Sequence, residues 1–228
     1  MTALFPIGTM AAASDAGTID SVSYSLFEPN AKCDSQKIFY ILTSQFENKS
    51  MMTRKKASPY MSISYEYENI FTREYRQLEH FVKSVDDALT SFYVVDFSKG
   101  FKPSSVTESS GDWVIAITNT YLFSTAANYK SYYALVSNGR GSYKFGSISA
   151  ISANTSVTLD VDTLNYGALS STTANSSGIL FPVYECYFTA NSINNFKSGS
   201  YVNETIGLST DGGFLYSGNL SFISKYPV

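Results

Sequence analysis

The chain of 228 residues is short of charge, histidine and cysteine, and each shortage removes a class of explanation. Asp, Glu, Lys and Arg make up 15% of it, against roughly 25% in an average soluble domain. That is too little charge to cover a free monomer. Sixteen basic residues against 19 acidic ones give a net charge of −3. A phosphate backbone would need a basic excess, so no specific nucleic-acid partner is implied. The single histidine, His80, removes most zinc and triad schemes. Two cysteines, Cys33 and Cys186, are too few for a disulfide framework and read as buried thiols without basic neighbours to activate them. No run approaches the roughly 20 apolar residues of a membrane-spanning helix. The first 19 residues lack the positive start and apolar stretch of a signal peptide.

What is abundant is aromatic: 18 tyrosines and 16 phenylalanines. A chain of this length buries roughly 70% of its unfolded surface, enough for one domain or two small ones without staples. Leu4-Phe5-Pro6-Ile7 and the polar residues after it need an anchor, for which a neighbouring subunit and the chain's own sheet are both open. Ser21 to Phe27 alternates as a half-buried strand, and Lys37 to Leu42 is an apolar run of strand length. Arg54-Lys55-Lys56 follows in a polar stretch, either as a solvated hairpin tip or as a docking loop for an acidic neighbour.

From Pro59 the period is two: Met61, Ile63, Tyr65 and Tyr67 share one face, with Ser62, Ser64, Glu66 and Glu68 on the other. It then changes to three and four, with Tyr75, Leu78, Phe81, Val82, Val85, Ala88 and Leu89 forming one stripe of an amphipathic helix. Thr72 is its expected N-cap and Glu74 suits its first turn. Phe92 to Phe97 reads as a buried strand, completing a strand–helix–strand unit over 59–98.

Residues 101–112 turn to Ser, Pro, Thr and Gly and read as a linker. Short strands follow at Trp113–Thr118, Tyr132–Ser137, Tyr143–Ile151 and Ser156–Val161, joined by turn-forming residues. That spacing predicts a small antiparallel barrel or sandwich. Ser170 to Gly178 reads as a second flexible run before the strand Ile179–Phe188, and the chain closes on two strand-like pieces around a glycine bulge in 213–223. The fold class is therefore mainly β with one amphipathic helix, α+β. Residues 1–104 and 178–228 are expected to form a core domain, an antiparallel sandwich or barrel, and 112–169 an inserted small β-barrel.

Little in the chain carries chemistry. Glu66 with Glu68, Asp86 with Asp87 and Asp160 with Asp162 are the carboxylate pairs a glycosidase would need. Alternation already explains the first as a solvent face, and the third lacks the glycine and closing glutamate of a calcium loop. Asn138-Gly139-Arg140-Gly141 precedes a strand, where a phosphate cradle needs a helix. No cofactor or metal is expected. Tyr121, Phe123, Tyr129, Tyr132 and Tyr133 form a dense aromatic stretch, suited to core and subunit interface or, as the alternative, to sugar stacking.

Taken in order, three stretches resemble the distal tail and minor tail proteins at the tail tip of long-tailed bacteriophages. They are Met61-Ser62-Ile63-Ser64-Tyr65 leading through Phe71-Thr72, Glu74, Leu78 and Phe81-Val82 to Phe92-Tyr93-Val94-Val95-Asp96, then Ser147 to Leu159, then Gly178-Ile179-Leu180-Phe181-Pro182-Val183. The resemblance implies no catalytic residue. It implies a structural virion protein forming a ring of its own copies, trimer or hexamer, at the distal end of the tail tube. Its partners would be the tube protein on one face and tip hub or fibre proteins on the other. On this reading Tyr65, Tyr67, Arg54, Lys55, Lys56, Tyr129, Tyr132 and Tyr133 are the interface residues. The alternative is a carbohydrate-binding attachment module of a virion.

Overall fold

The computed structural model describes residues 4–5, 18–19, 22–23, 29–39, 41–45, 51–55, 59–84, 90–123, 125, 132–137, 143–161, 169–189, 195–202 and 213–227. The first elements are β1 (Leu4–Phe5), β2 (Thr18–Ile19), β3 (Val22–Ser23), β4 (Lys32–Ile38), β5 (Ile41–Gln45), β6 (Met51–Lys55) and β7 (Tyr60–Phe71). Helix α1 (Thr72–Ser84) leads to β8 (Phe92–Val95), β9 (Ser105–Ser109), β10 (Asp112–Ala116), β11 (Tyr132–Val136), β12 (Tyr143–Ser152) and β13 (Ser156–Val161). Helix α2 (Ser171–Ser177), β14 (Ile179–Phe188), β15 (Lys197–Val202) and β16 (Gly213–Ser224) complete the chain order. The fold is mainly antiparallel β with helices, an α+β arrangement.

Among the described residues twelve strands join in one sheet, in the order β4-β7-β16-β14-β11-β12-β13-β10-β9, with β8 on β14, β1 on β8 and β15 on β16. Strand β14 is the hub. Its first residues pair with β11, from Ile179↔Val136 to Pro182↔Tyr133. Its middle pairs with β8, from Val183↔Val95 to Cys186↔Phe92, and its end with β16, from Cys186↔Ser224 to Phe188↔Phe222. Pro182 has no N–H to give a ladder, so it sits where the β11 pairing ends. Its carbonyl accepts the Asp96 N–H at 2.9 Å.

The alternation of β7 does what it predicts: Met61, Ile63, Tyr65 and Tyr67 point into a common core and are fully buried. Leu78, Phe81 and Val82 of α1 face the same core, and Tyr75 stacks on Tyr216 with centroids 4.2 Å apart. Glu74 accepts the Phe71 N–H at 3.0 Å, satisfying an orphan donor at the helix start. Thr72 does not cap. It is already helical, and its hydroxyl donates to the Phe214 carbonyl on β16 at 2.9 Å. Val85, Ala88 and Leu89 lie outside the described residues.

Phe5 sits at the centre of this core. Strand β1 adds to β8 in parallel, and the Phe5 ring lies 4.8 Å from Phe81, 5.4 Å from Phe222, 5.6 Å from Tyr65, 6.2 Å from Phe92 and 6.4 Å from Phe188. Of the two anchors open for the start of the chain, Leu4 and Phe5 use the chain's own sheet. A second cluster gathers Trp113, Ile115, Val157, Leu159 and Leu180 on the β9–β13 side, and a third, with Val95, Ala134, Phe145 and Val183, lies along the join.

Three stretches depart from their sequence patterns. Residues 37–42 are not one buried strand: β4 ends at Ile38, β5 begins at Ile41, and Phe39 between them is 51% exposed. The expected linker at 101–112 contains β9, folded onto β10 through a tight turn where Ser110 and Gly111 take positive φ. The expected flexible run at 170–178 is α2. It shows no apolar stripe because other forces fix it: Ser170 Oγ accepts the Thr173 N–H at 3.1 Å, and Lys102 Nζ donates to the Ser176 and Gly178 carbonyls at 3.2 and 3.3 Å. The glycine bulge in the last strand is present as a register shift between Tyr216 and Gly218, against which Phe196 packs too closely for a Cβ.

Replacing Phe5 by Ala removes a ring that touches five others. Stability should fall by about 3–5 kcal/mol in urea titration, whereas a loss near zero would show that the core closes without β1.

Candidate interaction surface

The strongest polar constellations are structural ones. Ser91 Oγ donates to Glu185 Oε1 at 2.6 Å, and Lys225 Nζ lies 2.7 Å from the same oxygen and 3.3 Å from Ser91 Oγ. A serine activated by lysine needs a neutral amine. Here the Glu185 hydrogen bond pushes the Lys225 pKa up, so the amine stays charged and the hydroxyl proton already has an acceptor. Asp96 is a fully buried carboxylate that closes a turn after β8. One oxygen accepts the Ser98 N–H at 3.1 Å and the Ser98 hydroxyl, while the other has Lys99 Nζ as counter-charge at 3.3 Å.

The thiols are held protonated. Burial, with the nearby Asp96 charge second, pushes Cys33 up to about 12 and Cys186 well above its ordinary value. Glu66 and Glu68 are exposed on the outer face of β7, and Asp160 is exposed on β13. Asp86, Asp87 and Asp162 lie outside the described residues, as does the side chain of His80 on α1. Among the described residues no three His, Cys, Asp or Glu side chains converge as metal ligands.

The expected interface residues fall in different places. Tyr65 and Tyr67 are not on the surface: both are fully buried, and the Tyr65 hydroxyl donates to the Val95 carbonyl inside the core. A tyrosine whose tip finds a main-chain partner is as much an interior residue as phenylalanine. Tyr133 is buried against Phe123, with centroids 4.9 Å apart, and Tyr132 is half-buried, stacked on Phe145 at 5.5 Å. Arg54 and Lys55 are not at a hairpin tip: they lie on β6, registered with Leu42 and Ile41 of β5, at the end away from the turn. Lys56 and Tyr129 lie outside the described residues. The aromatic stretch therefore does not present one face. Tyr121, 75% exposed, is the member of it that stands free among the described residues.

Among the described residues, three strands that end the large sheet, β4, β9 and β15, are each treated differently. Edge strands offer unpaired N–H and C=O groups to any passing strand unless something blocks them. Strand β4 is blocked by charge: Lys32, Asp34 and Lys37 are exposed along it, and Lys32 pairs with Asp34 at 2.5 Å. Strand β9 is blocked by a side chain. Asn175 of α2 accepts the Val106 N–H through Oδ1 and donates from Nδ2 to the Val106 carbonyl at 2.8 Å. One carboxamide thus pairs both groups of one residue, as a neighbouring strand would.

Strand β15, among the described residues, shows neither protection. Among the described residues it pairs with β16 alone, it carries one charge, Lys197, and its Tyr201 is registered with Phe214. The two rings meet edge to face at 5.4 Å and are 59% and 47% exposed. Phe71, also exposed, lies opposite Leu215 next to Phe214. Sequence reasoning missed β15 because Lys-Ser-Gly-Ser precedes its one aromatic residue and gives no alternation; the legible trace was Phe214 at the start of β16.

No protein-family model and no curated protein sequence matches the chain.

Two measurements check the interior chemistry. At pH 8 the native protein should release no colour with a thiol reagent, and the urea-unfolded chain should release two equivalents, one per cysteine. Early reaction of the native protein would contradict the raised thiol pKa values. Burial also raises Tyr133 to about 12 and Tyr65 well above its ordinary value. The folded state therefore holds protons that the unfolded chain loses near 9.0 for cysteine and 10.0 for tyrosine. Stability should be full below those values and fall as the pH climbs towards 12, followed by the emission of buried Trp113. Tyr133→Phe should move the midpoint upward, and an unmoved midpoint would sink the account.

Proposed function

We propose that the chain is a structural component of the tail tip of a long-tailed bacteriophage, of the distal tail or minor tail kind. In this role it assembles with its own copies into a ring at the end of the tail tube and joins the tube to tip or fibre proteins. The role is geometric, and no residue is assigned a catalytic part. Of the aromatic stretch named for the alternative of sugar binding, Tyr121 is the one exposed ring among the described residues, and one ring does not make a stacking platform.

The observation that carries this reading is the β15 edge, unguarded among the described residues, beside the exposed Tyr201–Phe214 pair. Subunit interfaces are enriched in Tyr and Phe and depleted in charge; β15 carries one charge and sets Tyr201 beside Phe214, where β4 carries three charges. An edge on one side of a subunit that meets a different surface on the next makes a head-to-tail contact, which closes into a ring when the rotation allows. The charge content of 15% fits a protein that covers part of its surface with neighbours.

Light scattering and negative-stain microscopy of the purified protein, alone and with tail components, test this directly. The expected result is a closed assembly of several copies that Tyr201→Lys with Phe214→Ser reduces to single chains of unchanged circular dichroism. A monodisperse monomer at micromolar concentration that fails to join tail components would end the proposal.

A further inference from the structure

We propose that Asn175 is an edge guard: its carboxamide fills a strand-addition site on β9 that otherwise accepts β9 of a second copy of this chain. The site is defined by Val106, whose N–H and C=O both turn away from β10 and are both taken by Asn175. The same device appears elsewhere in the molecule with its meaning made plain. Asn30 donates to the Glu68 carbonyl at 2.6 Å and accepts the Glu68 N–H at 2.8 Å, immediately beyond the Lys32↔Glu66 pair, so there the carboxamide continues β4 along β7. Against Val106 it stands in for a strand that is absent.

Strand β9 needs such a cover because it has little other protection. Ser105, Thr107, Glu108 and Ser109 are exposed, and Glu108 is its one charge. The cover itself is lightly held. Helix α2 has seven residues and buries one side chain, Ala174, too little to be stable apart from its caps.

The occupant follows from the strand's own sequence. The outward groups of an edge strand complement those of an identical strand run antiparallel, which gives a twofold contact. Centred on Val106, that pairing sets Thr107 across from Ser105 and Glu108 across from Ser104, so the two acids do not oppose each other. Lys102 of each copy falls on the diagonal from Glu108 of the other, within reach of a long side chain. With α2 in place Lys102 is engaged by the Ser176 and Gly178 carbonyls. Displacing α2 frees it for that acid.

The test compares full-length Asn175→Ala and Asn175→Asp with the wild type, whatever order of assembly the wild type has, so its outcome is independent of the ring reading. Trp113, buried on β10 and registered with Glu108, reports native packing through its emission. The expected result is native emission, a mass by light scattering about twice that of the wild-type assembly, and protection of the Val106 amide from exchange that rises with concentration. Asn175→Asp, which keeps the acceptor and loses the donor, should fall between. Adding Lys102→Glu to Asn175→Ala should return the mass to the wild-type value. The proposal is overturned by an unchanged mass with native emission, by association that leaves the Val106 amide exposed, or by loss of native emission in both variants, which would make the carboxamide a requirement of folding.

Discussion

The ten residues of β14 give side chains to all three buried clusters: Leu180 to the one around Trp113, Phe181 and Val183 to the join, Cys186 and Phe188 to the aromatic core around Phe5. Its main chain changes partner twice along the same length, from β11 to β8 to β16. The register of one strand therefore fixes the register of every strand beyond it on both sides. A slip of one residue would turn Leu180 and Cys186 outward together. Pro182 works against such a slip, because the slip would move a residue without an N–H to a new place in the ladder.

Among the described residues the sheet that β14 organises is open, and an open sheet must deal with its edges. Here the solutions are chemically distinct: paired charges on β4, a borrowed carboxamide on β9, and exposed rings on β15. The first two repel or occupy; the third, among the described residues, does neither. The shortage of charge in the sequence takes on a definite meaning at this level. Charge is the cheapest way to keep a strand edge solitary, and a chain that has little of it must use side-chain hydrogen bonds where an edge is to stay closed.

The sequence made some of this legible and not the rest, for reasons that can be named. Strands β7, β8, β10 to β14 and β16 announce themselves by alternation or by apolar runs, since each buries a face of its own. Helix α1 announces itself by a stripe for the same reason. Strand β9 buries only Val106, and α2 only Ala174; both owe their form to each other and to Lys102, partners that sequence patterning does not see. The tyrosines misled in the opposite direction. Tyr65 and Tyr67 look like interface material by composition, yet their strand turns them inward, and the hydroxyl of Tyr65 finds a carbonyl there. At the candidate interface, Phe214 was visible as part of a strand, while Tyr201 becomes meaningful only once the register sets it opposite Phe214.

Phe5 and Phe222 meet at 5.4 Å in the middle of the aromatic core, though almost the whole chain lies between them. A chain is made from one end, so this core lacks a wall until residue 222 has left the ribosome. The cluster around Trp113 draws on residues 106 to 180 and has no such wait. Synthesis therefore imposes an order on the molecule: the strands around Trp113 can pack while the first strand is still without its partners. Until the end arrives, Phe5 and the rings of β7 and α1 stand exposed together, a hydrophobic surface for which the growing chain depends on its surroundings.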